Sequence, residues 1–254
     1  MARELSARRA LITGAGKRIG RALAEALGED GWSVAVHYRS SAKGAADTAA
    51  AIEAAGGTAA IVQGDLSDEK DLRAIVPAAA EVLGGPLTLL VNSASTFEAD
   101  TARDHDRQTW DLHFDANLRA PIALAQAFAN ALPKDQNGLV INLIDQRVWK
   151  LNPQFFTYTL SKAALYTATK TLAQALAPNI RVNGIGPGPT LKSVHQSEEE
   201  FEAERRATLT EDGSRPEEIV RAMRYLIAAD SVTGQMIAPD GGQHLLWQTP
   251  DTQL

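Results

Sequence analysis

The chain has 254 residues, a formal net charge of −6 and no cysteine. Without cysteine it can form no disulfide, thiolate metal site or cysteine nucleophile, and its mild acidity indicates no nucleic-acid surface. No apolar run reaches the roughly 18 residues that a membrane span needs, and residues 1–9 are too polar for a secretory signal. We therefore expect a cytoplasmic protein that uses no metal and binds neither membranes nor nucleic acids.

Apolar segments of strand length alternate with helix-forming segments along the chain. The pattern predicts strands at residues 9–13, 32–38, 58–62, 87–91, 139–144, 180–185 and 236–238. It predicts helices at residues 21–27, 45–55, 68–83, 107–132, 155–177 and 216–228. This alternation is typical of an α/β fold with one doubly wound parallel sheet and helices on both faces, and it predicts a single domain over residues 1–254.

Three local features complete this prediction. Ser67 or Asp68 is expected to cap the third helix, and Pro121 is expected to kink or break the segment 107–132. The segment Glu198–Arg206 is strongly charged, and we expect it to be mobile.

A glycine-rich turn at residues 14–20 follows the first strand and opens a helix. Gly14, Gly16 and Gly20 let the backbone turn tightly, and the helix N-terminus offers free N–H groups to a pyrophosphate. A glycine-rich turn alone is weak support, but a turn between the first strand and its helix is the context that makes it informative. The turn therefore predicts dinucleotide binding.

The end of the second strand indicates which dinucleotide binds. NAD sites usually place a carboxylate there for the ribose hydroxyls, whereas this chain has His37-Tyr38-Arg39-Ser40 and no acid. Lys17 and Arg18 lie in the glycine-rich turn. Cations suit a 2′-phosphate, which Arg can bind through two hydrogen bonds. Each of these charges alone would be read as solvent-facing, but together they favour NADPH.

The segment from the fifth strand to the following helix carries the candidate catalytic groups. Tyr158 and Lys162 are four residues apart, so a helix places them on one face, one turn apart. A nearby cation can lower a phenol pKa by about 1–3 units, which brings it closer to working pH. Asp145, at the end of the strand, could complete a proton relay. On this segment alone, a half-buried tyrosine beside a solvated lysine would be the better interpretation.

These residues, in this order, resemble the short-chain dehydrogenase/reductase family over essentially the full chain. The shared motifs are Thr13-Gly14 with Gly20, Asp65, Asn92-Ser93-Ala94, Asn117, Tyr158 with Lys162, and Pro187-Gly188. The resemblance implies an NAD(P)-binding Rossmann fold and a homotetramer built on the segments 107–132 and 155–177.

The resemblance also implies roles for individual residues. Tyr158 would donate a proton, while Lys162 would bind the nicotinamide ribose and lower the tyrosine pKa. Asn117 would hold a water that connects Lys162 to solvent, and Asp65 with Leu66 would border the adenine. The implied cofactor contacts are Gly14, Gly16, Lys17, Arg18, Ile19, Gly20, His37, Tyr38, Arg39, Ser40, Asp65, Leu66, Asn92, Ser93, Ala94, Tyr158, Lys162, Pro187, Gly188 and Thr190.

Two departures from the family pattern are informative. Arg18 stands where the family usually has a third glycine, and Asp145 stands where it usually has a serine. Both changes are similar to the pteridine reductase branch, which includes the bacterial dihydromonapterin reductases. A carboxyl can accept a hydrogen bond from an amino-substituted ring or pass a proton. Phe155 is a mismatch, because some members of that branch have a second tyrosine there, and this puts the substrate orientation in doubt.

The leading hypothesis is an NADPH-dependent reduction of a pterin-like ring, from a dihydropterin to a tetrahydropterin. Phe97 would stack a flat ring against the nicotinamide, and Thr190–Arg215 would form a lid. The implied substrate contacts are Arg18, Ser95, Phe97, Asp145 and Tyr158. Alone, Phe97 would be read as loop packing, and Asp145 as a loop cap or a partner of Arg147.

Two other functions stay open. One is a carbonyl reductase of the same family, acting on a 3-oxoacyl thioester or a small alcohol. The other is a protein that senses NADPH without catalysis, although the retention of Tyr158, Lys162 and Asn117 argues against it.

Overall fold

The computed structural model describes residue 5 and residues 7–249. Seven parallel strands form one sheet in the order β3-β2-β1-β4-β5-β6-β7. The strands are β1 (Arg9–Ile12), β2 (Ser33–Tyr38), β3 (Thr58–Gln63), β4 (Leu89–Asn92), β5 (Gly138–Leu143), β6 (Ile180–Ile185) and β7 (Met236–Ile237). The doubly wound parallel sheet predicted from the alternation is confirmed. The order reverses between β1 and β4, which places the crevice for a ligand beyond the carboxyl ends of these strands.

Helices cover both faces of the sheet. They are α1 (Arg18–Glu29), α2 (Ala42–Ala54), α3 (Glu69–Val82), α4 (Arg107–Phe114), α5 (Ala120–Ala131), α6 (Phe156–Leu176), α7 (Glu198–Arg206) and α8 (Pro216–Ala228). Ile12 of β1 faces a core shared with α1, α2 and α8. Leu11 faces a second core shared with α3, α5 and α6. Successive side chains of a strand point to opposite faces, so strands covered on both sides read as continuous apolar runs. No helix in the described part of the chain is both long and apolar enough to cross a membrane.

Two of the local expectations concern helix boundaries. Asp68 caps α3, because its side chain accepts hydrogen bonds from the backbone N–H groups of Lys70 and Asp71. The interruption of the segment 107–132 is a π-helical turn at Asp115–Arg119 and not a break at Pro121 itself. Pro121 lies in the first turn of α5, but the backbone stays helical from α4 through the π-turn into α5, so the missing N–H of Pro121 removes one bond of a continuous helix.

Residues 198–206, a charged segment for which no helix was predicted, form α7. The Ser197 side chain accepts from the Glu200 N–H, and the Glu200 side chain accepts from the Ser197 N–H. This reciprocal capping satisfies two free donors of the first turn. Acidic residues fill that first turn and Arg205 and Arg206 lie in the last, so the charges complement the helix dipole.

Candidate active site

A cleft of about 1170 Å³ lies at the carboxyl ends of the strands. It brings together most of the side chains that the sequence singled out. Of the predicted site residues, Gly20, Asn92 and Asn117 do not line it. These three residues support the walls of the cleft instead.

The glycine-rich turn forms the floor of one end of the cleft. Gly14 has φ of +66°, and a Cβ there would lie 2.9 Å from Ala94 Cα. At Gly20 a Cβ would lie 2.5 Å from the Gly14 carbonyl oxygen. Glycine is therefore required at 14 by backbone conformation and at 20 by packing within the turn.

Arg18 departs from the family pattern at a position where glycine would be unstrained. Its φ is +54°, in the left-handed region that favours glycine. Its guanidinium donates to the carbonyl oxygens of Leu191 and Lys192, at 3.0 and 2.9 Å. Arg18 thus ties the glycine-rich turn to the segment after β6, and its contact with a 2′-phosphate stays a prediction. Such strain is common at ligand sites.

His37 lines the cleft but is buried and uncharged. It is 1% exposed, and its Nδ1 accepts from the Gly14 N–H at 3.2 Å. Its other nitrogen, Nε2, therefore carries the proton and donates to the Gly64 carbonyl at 3.1 Å. Burial lowers the pKa of His37 to about 4, against the smaller opposing effects of Gly64 and Asp65. His37 is thus a neutral support of the glycine-rich turn.

This burial predicts a specific acid sensitivity. The pKa of His37 is about 4 in the folded chain and about 6.5 in an unfolded one. His37 therefore does not lower the free energy of unfolding above pH 6.5. As the pH falls from 6.5 through 4, the unfolded chain takes up a proton that the folded chain does not, and the free energy of unfolding decreases by about 3 kcal/mol in total. In urea unfolding between pH 7.5 and 4, we expect His37→Gln to lack this part of the acid destabilisation. The matched control, His105→Gln at an exposed histidine, should follow wild type; a His37→Gln curve that also follows wild type would contradict the prediction.

Lys17 and Arg39 remain as the exposed cations beside the end of β2. Tyr38 and Ser40 line the same end. The Asp65 carboxyl accepts hydrogen bonds from the Ser67 N–H and hydroxyl, which with Arg39 lower the pKa of Asp65. Leu66 and Ile19 also line the cleft.

The loop after β4 is held by Asn92, which was predicted as a cofactor contact, and by Thr13 of the first motif. Asn92 is 2% exposed and donates to Asn142 Oδ1 at 2.8 Å, inside the sheet. The backbone N–H groups of Ser93 and Ala94 both donate to Thr13 Oγ1 at 3.0 Å. Thr13 thus fixes the loop whose Ser93 and Ala94 line the cleft.

Asn117 lies in the π-helical turn and is fully buried. Its Oδ1 accepts from Ser95 Oγ and from the Thr96 N–H, both at 2.9 Å. Its Nδ2 donates to the Thr96 carbonyl at 3.0 Å and to Ser161 Oγ at 3.2 Å. All the bonds that a side-chain amide can make are thereby used, so the Asn117 side chain positions the loop 93–96 and is not free to hold a water.

The expected catalytic group is assembled at the centre of the cleft. The Tyr158 hydroxyl donates to Asp145 Oδ2 at 2.9 Å. Lys162 lies one helical turn further along α6, and its Nζ donates to the Leu143 carbonyl at 2.8 Å. Nζ is 5.7 Å from the centre of the Tyr158 ring. Asp145 is fixed because its Oδ1 accepts from the Arg147 N–H at 2.8 Å.

Burial dominates the protonation of this group. It raises the pKa of Asp145, and burial together with the Asp145 carboxyl raises the pKa of Tyr158 well above its usual value. Burial also lowers the pKa of Lys162 to about 8, against the opposing effect of Asp145. The net shift of the Tyr158 pKa is therefore opposite to the lowering expected from Lys162, and burial and Asp145 account for it. Tyr158 keeps its proton at neutral pH, which is the state that a proton donor needs.

An aromatic layer covers the catalytic group. The rings of Phe97 and Phe155 stack at 4.0 Å, and the Phe97 ring meets Tyr158 edge-on at 4.7 Å. Phe155 has φ of +53°, and the Arg147 guanidinium lies 5.3 Å from the centre of its ring. Phe155, the residue that departs from the pteridine reductase pattern, thus belongs to the same aromatic layer as Phe97. Ser95 lines the same cleft, and its hydroxyl donates to Asn117.

The segment after β6 closes the other side of the cleft. The Thr190 hydroxyl donates to the Gly188 carbonyl at 3.1 Å, and a Cβ at Gly188 would lie 2.7 Å from Asp240 Cα. Pro187 also lines the cleft. His195 Nε2 lies 3.0 Å from the Phe97 carbonyl oxygen and so links this segment to the aromatic layer. No spacing in the sequence indicated this contact.

Comparison with known proteins identifies the family. The model described as enoyl-(acyl carrier protein) reductase matches residues 14–244. The chain belongs to the short-chain dehydrogenase/reductase family. It is an oxidoreductase.

Within this family, the chain is similar to two solved structures. The FolM alternative dihydrofolate reductase 1 from Brucella canis, complexed with NADP, is 49% identical, with 100% of both chains covered and a TM-score of 0.94. The protein of the same name from Brucella suis, also in complex with NADP, is 48% identical, with 97% of this chain and 99% of that chain covered and a TM-score of 0.94. The 3β-hydroxysteroid dehydrogenase 1 of Eggerthella lenta is 34% identical over 251 residues, which cover 95% of each protein.

Proposed function

We propose that this enzyme uses NADPH to reduce a pterin-like ring, from the dihydro to the tetrahydro form. The observation that carries the proposal is the hydrogen bond of 2.9 Å between the Tyr158 hydroxyl and Asp145. The serine usual at that position would stabilise a carbonyl oxygen, whereas a buried carboxyl of raised pKa can hold and pass a proton. The names of the two Brucella proteins support the same substrate class.

The residues at the end of the cleft that the glycine-rich turn forms fit NADPH. The turn at Gly14 leaves no room for a side chain and leads into α1, whose N-terminus suits a pyrophosphate. Lys17 and Arg39 lie where a 2′-phosphate would bind, with no acid at residues 37–40. Both Brucella structures contain NADP. NADPH, when bound, supplies a hydride.

The chain's own residues would then orient the ring and deliver the proton. Phe97 offers a flat face for the ring, and Tyr158 donates a proton to the ring nitrogen next to the reduced carbon. Asp145 would hold the Tyr158 hydroxyl in place, and after the transfer a proton taken up from solvent would return to the Tyr158 oxygen through the Asp145 carboxyl. Lys162, whose Nζ donates to the Leu143 carbonyl, would hold the nicotinamide ribose. Most of the effect is orientation and electrostatics in a buried site.

The test is consumption of NADPH by purified protein, with a 7,8-dihydropterin and an acetoacetyl thioester offered in parallel. NADH serves as the cofactor control. Turnover of the dihydropterin with NADPH is the expected result. Turnover of the thioester alone would contradict the proposal, and tight NADPH binding without turnover of either would indicate a sensing protein.

A carbonyl reductase is the second candidate. It is favoured by the 34% identity to a hydroxysteroid dehydrogenase, whose name indicates chemistry at a hydroxyl or carbonyl group. The two candidate functions give Asp145 different importance. A carboxyl is useful for proton transfer to a ring nitrogen and offers no advantage over serine at a carbonyl oxygen.

We also propose a homotetramer built on α4, α5 and α6. α5 is rich in alanine and α6 in alanine and threonine, which permits close helix contacts between subunits. A mass measurement in solution should give four copies, and a monomer would contradict the proposal.

A further inference from the structure

Arg147 is a half-buried cation in the cleft whose charge is not paired with an acid. It lines the cleft, and its Nη1 donates to the Asn152 side chain at 2.8 Å and to the Gln154 carbonyl at 3.4 Å. Both acceptors are neutral. Among the described residues, none of the ion pairs includes Arg147. A charge that is partly withdrawn from water is stabilised by an opposite charge, and the chain itself supplies none here.

The acids that line the cleft bind other donors. Asp104 accepts from the N–H and the hydroxyl of Thr101, at 2.7 and 2.9 Å. Glu204 accepts from two glutamine side-chain amides, at 2.7 and 2.8 Å. Asp145 contacts Arg147 through the main-chain N–H of that residue and not through its guanidinium. The positive charge of the guanidinium is therefore available to a ligand.

Arg147 lies next to the surface on which the substrate ring is proposed to stack. Its guanidinium carbon is 5.3 Å from the centre of the Phe155 ring, and that ring stacks at 4.0 Å on Phe97. The hydrogen bonds to Asn152 and Gln154 hold the guanidinium in this place. A substituent on a ring bound at Phe97 would therefore have a fixed positive charge close by.

We propose that Arg147 binds an anionic group, a carboxylate or a phosphate, on the side chain of the pterin-like substrate. This inference rests on the proposed function and narrows its substrate class to dihydropterins with an acidic side chain. A guanidinium is planar and can donate two parallel hydrogen bonds to either anion. A neutral side chain would leave the charge of Arg147 unpaired, so this residue also selects among substrates.

Two pairs of substrates test the proposal, because one member of each pair carries the anion and the other is neutral. The first pair is 7,8-dihydrofolate and its diamide, and the second is 7,8-dihydroneopterin monophosphate and 7,8-dihydroneopterin. In at least one pair, we expect the wild-type KM of the anionic member to be about 10–100-fold lower, the effect of hydrogen bonds to a charged group. The pair that shows the difference identifies the anion as carboxylate or phosphate. Added salt should raise the KM of the anionic member, because it screens the attraction.

Arg147→Met removes the charge and should raise the KM of the anionic member to that of its neutral partner. The KM of the neutral member should change much less, and the Kd for NADPH should not follow the loss. The substitution keeps the main-chain N–H that binds Asp145. Arg147→Lys keeps the charge without the planar fork, so it should lose only part of the preference.

Arg73→Met is the matched control. Arg73 lies on α3 outside the cleft, with a side chain that is 81% exposed, so its loss changes the net charge equally. The ratio of the two KM values in each pair should stay at the wild-type value. Thermal unfolding of each variant shows whether it folds.

Three results would overturn the inference. One is an equal wild-type KM for both members in both pairs. Another is a loss in Arg147→Met that is the same for anionic and neutral members, which would mean that the charge acts on the site and not on the substrate's side chain. The third is a loss confined to NADPH affinity, which would assign Arg147 to the cofactor. A wild-type protein that reduces none of the four compounds would overturn the proposed function itself, and the role of Arg147 would fall with it.

Discussion

Tyr158→Phe is expected to lower kcat for dihydropterin reduction by about 10²–10⁴-fold, the contribution of a positioned general acid. The hydroxyl is the group that donates to Asp145, and burial keeps it protonated. Phenylalanine preserves the ring that packs edge-on against Phe97 but has no proton to give. Steady-state kinetics with NADPH give the change in kcat. The Kd for NADPH, measured by fluorescence, should change little.

Tyr166→Phe is the matched control on the same helix. Tyr166 lies outside the cleft beside Lys170, so losing its hydroxyl should leave kcat unchanged. If Tyr158→Phe kept wild-type kcat, the proton would have to come from another group, and the assignment of Tyr158 would be wrong.

Asp145→Ser is expected to have the second-largest effect, a loss of about 10²-fold or more in kcat for dihydropterin. Serine restores the residue usual in the family but removes the carboxyl that can hold a proton. Activity toward an acetoacetyl thioester should be unchanged or higher. Asp145→Asn keeps the shape of the side chain without a titratable proton, so it should be as damaging as serine if proton transfer is the role of Asp145.

Asp106→Ser controls for the loss of an acidic cap. Asp106 caps α4 by accepting from the Thr109 N–H, and serine is an equally good cap. Its kcat should match wild type. Full dihydropterin activity in Asp145→Ser would show that the carboxyl is dispensable and would favour the carbonyl reductase interpretation.

Much of the fold was predictable because buried strands have a recognisable apolar sequence. A strand covered on both faces must be apolar throughout, and the segment 139–144 shows this directly. The cap of α7 was also readable, since Ser197 and Glu200 have the spacing of a reciprocal cap. The prediction for that segment used only its high charge.

Features that depend on tertiary contacts were not predictable. The π-helical turn at residues 115–119 has no local signature, and it is paired through Asn117 with a loop about twenty residues earlier. The sequence shows that His37 can carry a charge, but only its burial between Gly14 and Gly64 shows that it does not.

In the candidate site, too, local sequence predicted some features, and others depended on tertiary contacts. Helical spacing correctly placed Tyr158 and Lys162 on one face of α6. The pKa of Tyr158 depends on a competition between burial, the Asp145 carboxyl and nearby cations, and spacing cannot rank these effects.

Hydride transfer to the ring can be followed with NADPH deuterated at C4 of the nicotinamide. With 7,8-dihydropterin as substrate, the tetrahydropterin isolated by mass spectrometry should carry one deuterium on a ring carbon. A product without deuterium, or deuterium found only in the hydroxyl product of the acetoacetyl thioester, would contradict pterin reduction by this enzyme.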